Sequence, residues 1–109
     1  MFCMMASFNF NLHNFSSVEE AEHHYIGYHV PLARRLPGLR HYVIGRAVDF
    51  GPSVADRYRA VFLSFDDAEA LRGAYRSEVG RELRADEQRL ITDVEVRFVE
   101  AQQMLPEQK

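Results

Sequence analysis

Between Phe2 and Asn11 apolar and polar side chains alternate, with Phe2, Met4, Ala6, Phe8 and Phe10 on one parity and Cys3, Met5, Ser7, Asn9 and Asn11 on the other. A period of two with one more polar face predicts a strand. The period then lengthens. Val18, Ala21, Tyr25, Tyr28 and Leu32 recur at steps of three and four, which predicts a helix with one apolar face running to about Leu36. Ser16 with Glu19, or Ser17 with Glu20, has the spacing of a capping box at its start. Pro31 falls inside the pattern, where it has no amide hydrogen and its ring crowds the Gly27 carbonyl, so the helix is expected to kink or restart there. Pro37 and Gly38 stop it.

From Leu39 to about Asp49, and again from Arg57 to Phe65, apolar residues occupy both parities, which predicts two strands covered on both faces. Gly51 and Pro52 supply the turn between them. Asp66 or Asp67 is expected to cap a second helix, buried along Ala68, Leu71 and Tyr75, with a break near Gly80 and a continuation from Arg81 to Ile91. Asp93 to Val99 alternates again, with Val94, Val96 and Phe98 inward and Glu95 and Arg97 outward. The order strand, helix, strand, strand, helix, strand is that of an α+β, ferredoxin-like βαββαβ domain, a four-stranded antiparallel sheet with its helices on one face. It spans residues 1–101 and is followed by a polar tail at 102–109. Two helices leave one sheet face bare, and a homodimer packed sheet to sheet is the simplest cover for it.

Composition narrows the partners. With 109 residues the chain supports one modest core, and a formal charge of -3 from interspersed acids and bases offers no stripe for nucleic acid and no anchor for a membrane surface. No apolar run approaches the ~20 residues that span a bilayer. The lone Cys3 excludes an intramolecular disulfide and fits a reducing compartment, so a cytoplasmic location is expected.

Chemistry is expected where the first helix breaks. His29, beside the Pro31 discontinuity, carries a ring that titrates near neutrality and can act as general acid or base; the plainer reading is a histidine that caps carbonyls freed by the proline. Asp86 is the residue to orient such a base, against the plainer reading of a solvated helix acid beside Arg84 and Arg89. Tyr25, Tyr28 and Tyr42 offer hydroxyls on apolar bodies suited to a pocket wall, and Asn9 lies on the polar parity of the first strand, within reach of a ligand or of a dimer seam. His23, His24 and His29 do not make a metal site by spacing: His24 and His29 are five apart rather than three or four, and no further ligand completes the set. No metal and no organic cofactor is expected.

The run of Tyr25, His29, Pro31-Leu32 and Leu36-Pro37-Gly38-Leu39-Arg40, closing on Tyr42-Val43, resembles the EthD family of small dimeric α+β barrel proteins. The second half agrees in order through Tyr58-Arg59-Ala60, Ser64-Phe65-Asp66 and Ala85-Asp86, and the likeness extends from about Ser16 to Glu100. Ile26 departs from it, standing where such sequences tend to carry an aromatic residue. The resemblance implies a homodimer with a pocket in each subunit between sheet and helices. It further implies a cofactor-free isomerase, cyclase or lyase acting on a small oxygenated hydrophobic metabolite of a catabolic or secondary-metabolite pathway. The alternatives are a ligand-binding or accessory protein of such a pathway and, less favoured, haem binding through His29 or His24.

Overall fold

The computed structural model describes residues 1–105. Four strands, β1 (Phe2–Phe10), β2 (His41–Arg46), β3 (Arg59–Phe65) and β4 (Ile91–Glu100), form one antiparallel sheet in the order β2-β3-β1-β4. The helices are α1 (Val18–His24), α2 (Val30–Ala33), α3 (Ala68–Arg76) and α4 (Glu78–Leu90). The expected ferredoxin-like α+β fold is what the chain adopts. β2 and β3 are each shorter than the apolar runs that announced them, and β4 starts at Ile91, straight off the end of α4. Of the polar tail, residues 106–109 lie outside the described residues. No helix among the described residues is long and apolar enough to cross a membrane.

Local chemistry sets the helix ends. Ser17 caps α1 by accepting from the Glu20 amide at 3.1 Å, while the Glu20 carboxylate takes the amide and hydroxyl of Ser16, so the box closes one residue upstream of the cap. Asp67 caps α3 through the Ala70 amide at 2.8 Å, and Asp66 is left to pair with Arg40. The helix, expected to run to about Leu36, ends at Ala33; the bonds then shorten to three-residue steps at Arg35 and Leu36, and Gly38, at φ 78°, turns the chain toward β2. The break in the second helical region falls at Ser77, not at Gly80: Ser77 is extended, ends α3 and caps α4 by accepting from the Gly80 amide.

Between α1 and α2 the chain runs through one π-helical turn, Tyr25–His29, closed by the Val30 amide on the Tyr25 carbonyl. This is the discontinuity expected from Pro31. The widened turn takes up the misfit ahead of a residue that has no amide to donate, and α1, the turn and α2 continue as one helical path without a gap.

The helix-facing side of the sheet carries Met4, Ala6 and Phe8 of β1, Tyr42 and Ile44 of β2, Val61 and Leu63 of β3 and Val94, Val96 and Phe98 of β4. A bulge in β4 opposite Phe8 adds one residue there, so Ile91 and Val94 lie on the same face although their parities differ. Asp93, at φ 52°, takes the strained conformation, which a short polar side chain tolerates best after glycine. The buried residues fall into two clusters, one around Leu32, Leu36, Leu63, Phe65 and Leu83, the other around Phe8, Phe10, Phe15, Tyr25 and Leu90.

On the opposite side no element of the described residues covers the sheet. Strands β2 and β3, expected to be covered on both faces, are covered on one only in the single subunit, and register sets Val43, Phe62 and Met5 in a row across the bare face, flanked by Arg97. Val43 is 60% exposed and Met5 46%.

Gly80 is required for a steric reason. A Cβ there would lie 2.3 Å from the Ala74 carbonyl oxygen and 2.6 Å from the Tyr75 Cα, where α3 and α4 meet. Gly80→Ala is expected to lower unfolding free energy by about 1–3 kcal/mol, read from urea denaturation, because backbone atoms must move to admit the methyl.

Candidate active site

The π-helical turn decides what the first helical path presents. In a regular α-helix residues five apart diverge around the axis, whereas a turn closed by an i to i+5 bond stacks them on one face. His24 and His29 therefore point the same way, and both reach one carboxylate of α4. His29 Nδ1–H donates to Asp86 Oδ2 at 2.8 Å and His24 Nε2–H donates to Asp86 Oδ1 at 2.7 Å. Asp86 and His29 are both buried, each 6% exposed. Asp86 is thus not the solvated helix acid of the plainer reading, and His24, set aside on its spacing, shares the carboxylate with His29. Among the described residues no group of three or more His, Cys, Asp or Glu side chains is arranged to hold a metal ion.

Fixing Nδ1 on Asp86 leaves His29 Nε2 without a hydrogen bond to the described residues. His29 lines a cavity of about 540 Å³ between the sheet and the helices, walled by members of both buried clusters and by the helix-facing residues of β4. Burial lowers the His29 pKa from its ordinary 6.5, and the Asp86 hydrogen bond and charge offset only part of that. The imidazole is therefore neutral at physiological pH and able to accept a proton.

Four more polar groups share this cavity. Tyr25 is almost fully buried, stacks on the His29 ring at 5.5 Å, and sets its hydroxyl beside that of Tyr42 without a well-formed hydrogen bond. Burial first and Tyr42 second push the ionisation of Tyr25 well up; burial likewise pushes Tyr42 up, to about 12, and raises Tyr75. These hydroxyls stay protonated and can donate. The fourth group, Glu87, escaped the sequence reading. Burial in the apolar wall raises its pKa to about 7, opposed by Arg84 and assisted by Asp86. Its signal was there to be found: Glu87 stands between Leu83 and Leu90 at steps of four and three, on the buried row of α4.

Two expected pocket residues lie elsewhere. Tyr28 is 49% exposed and packs on the outer side of His24, ring to ring at 5.1 Å, because the widened turn carries it off the face shared by Tyr25 and His29. Asn9 lies on the parity turned away from the helices and pins the β4 bulge, donating to the Asp93 carboxylate at 3.1 Å while its oxygen takes the Tyr58 amide at 2.9 Å. Ile26, where the family resemblance suggests an aromatic residue, is exposed and does not line the cavity.

The EthD domain model matches residues 16–93, most of the chain. The chain belongs to the EthD family. This EthD protein matches no curated protein in sequence. Among solved structures it is similar to an EthD family protein from Bacillus halodurans, at 24% identity over 94% of this chain and 99% of that one, with a TM-score of 0.76. SnoaB, a cofactor-independent oxygenase from Streptomyces nogalater, superposes with a TM-score of 0.69 at 18% identity, covering 97% of each chain. A dimeric ferredoxin-like protein of unknown function from Thermobifida fusca gives 0.69 at 18% identity, over 90% of this chain and 88% of that one. At these identities the likeness to solved structures is one of fold.

The two shifted groups pull stability in opposite directions with pH. His29, lowered on folding, contributes fully above about 6.5 and loses its contribution as pH falls through its folded value. Glu87, raised on folding, contributes fully below about 4.5 and loses its contribution as pH rises through about 7. Glu87→Gln, which cannot ionise, is expected to gain stability over the wild type at pH 8 and to lose that advantage by pH 5, as measured by urea denaturation at the two values.

Proposed function

We propose that this EthD protein is a cofactor-independent catalyst of proton transfer, an isomerase, cyclase or lyase, acting on a small, mostly apolar oxygenated metabolite. The observation that carries the reading is the buried His29–Asp86 pair, with His29 neutral and lining an apolar cavity. Asp86 holds the ring in one tautomer and stabilises the imidazolium that forms, and His24 holds Asp86 from its other oxygen. That SnoaB, of the same fold, is a cofactor-independent oxygenase supports a catalyst that works through its own side chains.

The step runs as follows. His29 Nε2 takes a proton from a carbon beside a carbonyl, and the electron pair of that C–H bond moves onto the carbonyl oxygen to give an enolate. The Tyr25 hydroxyl, buried beside that of Tyr42 without a well-formed hydrogen bond, is the group to donate to that oxygen, since a buried donor poorly matched costs about 1–3 kcal/mol that a substrate oxygen restores. Glu87, protonated below about pH 7, then gives its proton to a different carbon as the enolate pair moves back, which completes an isomerisation, and proton exchange with solvent returns His29 to the neutral form and Glu87 to the protonated one.

The bare sheet face is the basis for a homodimer packed sheet to sheet, in which Val43, Phe62 and Met5 of two subunits cover one another. That the ferredoxin-like neighbour from Thermobifida fusca is dimeric supports a dimer here. The single cysteine fits a cytoplasmic setting.

Exchange of the α-protons of 2-tetralone for deuterium, followed by NMR, tests the chemistry without knowledge of the natural substrate. The wild type is expected to accelerate exchange, and His29→Ala to lose about 10²–10⁴-fold of it with the dimer intact; exchange no faster than in buffer overturns the proposal. The rate is expected to rise with pH through a value below 6.5 and to fall through about 7, and Glu87→Gln should abolish the alkaline limb. Val43→Asp places a charge in the centre of the sheet-to-sheet contact and is expected to yield monomers in sedimentation velocity.

A further inference from the structure

The charged residues that line the cavity are not balanced. Three are arginines, Arg72 and Arg76 of α3 and Arg84 of α4, and the single acid among the described lining residues is Glu87. Their side chains are 57%, 72% and 63% exposed, so they form the rim where the cavity meets solvent, while His29 and Tyr25 lie buried within. Arg72 and Arg76, one helical turn apart, share a single carboxylate, Glu69, at 3.0 and 3.7 Å. Arg84 meets Glu87 only at 4.0 Å, and Glu87 is half protonated near neutrality. The rim is thus left with an excess of positive charge on a protein whose formal charge is -3. Such a local reversal at the mouth of a low-dielectric cavity concentrates anions there.

We propose that this rim is an anion-binding subsite and that the ligand is an apolar ring compound carrying one carboxylate at the end remote from His29. The inference rests on the function proposed above and adds the substrate class. The excess of one to two charges matches a monoanion. The planar guanidinium fork matches the two oxygens of a carboxylate, and the inner walls of Phe8, Leu63, Val61 and Val96 suit the ring body. Binding the carboxylate at the rim orients the opposite end of the ring compound toward the imidazole, so charge at the mouth positions the group that reacts in the interior.

A matched pair of probes, 2-naphthoate and methyl 2-naphthoate, reads the subsite through titrations followed by tyrosine fluorescence and by NMR of His29. The wild type is expected to prefer the acid by about fivefold or more at low salt. That preference should shrink as sodium chloride is raised to 0.5 M, and it should vanish in the Arg72→Gln, Arg76→Gln, Arg84→Gln triple variant. The salt series needs no variant and stands even if the triple variant folds poorly. Equal affinities, or a preference for the ester, with His29 signals moving, overturn the anion subsite and leave the cavity reading in place. Failure of both compounds to bind overturns both.

Discussion

One widened helical turn governs the arrangement of this protein. Pro31 cannot donate into a regular α-helix, and the chain answers by opening the turn before it, Tyr25–His29, rather than by ending the helix. His24 and His29 consequently face α4 together and close on the two oxygens of Asp86. That carboxylate ties the first helical path to the second across the sheet. A carboxyl group buried on this scale is tolerable because both oxygens are matched by ring nitrogens. The same turn brings Tyr25 and His29 into ring contact and turns Tyr28 outward.

The cavity is the cost of this arrangement and its use. A chain of this size would gain stability from a single continuous core, yet its buried residues divide into two clusters with an open volume walled by both. Into that volume are set three tyrosines, a neutral imidazole and a carboxyl with a raised pKa, each displaced from its solution behaviour chiefly by burial. Concentrations of displaced acids and bases of this kind are characteristic of sites that move protons.

Much of the fold was legible in local pattern. The alternation in β1 and β4, a cap at Ser16 or Ser17 and the disturbance at Pro31 depend on neighbours in sequence and are found, with Ser17 as the cap, whereas the helix expected to run to about Leu36 already ends at Ala33. What stayed hidden depended on tertiary placement or on a changed period. His24 and His29 were separated on the assumption of a regular helical pitch, which the π-helical turn suspends. Asn9 was placed on the correct polar parity, but its engagement with the Asp93 bulge requires β1 and β4 to be side by side. Glu87 showed its position in the Leu83–Leu90 spacing and went unread, because an acid on a helix is ordinarily assigned to solvent.

The extra residue in β4 bears on how such a chain can change length. Opposite Phe8 the strand has room for one amino acid more than its neighbour, and the misfit ends there: from the pairing of Ser7 with Glu95 to that of Phe2 with Glu100 the ladder is regular. A gain or loss of a residue at this point is absorbed as local phase and does not invert the wall beyond it. A change of length here would alter how α4 hands over to the sheet while the lining contributed by Val96 and Phe98 keeps its side.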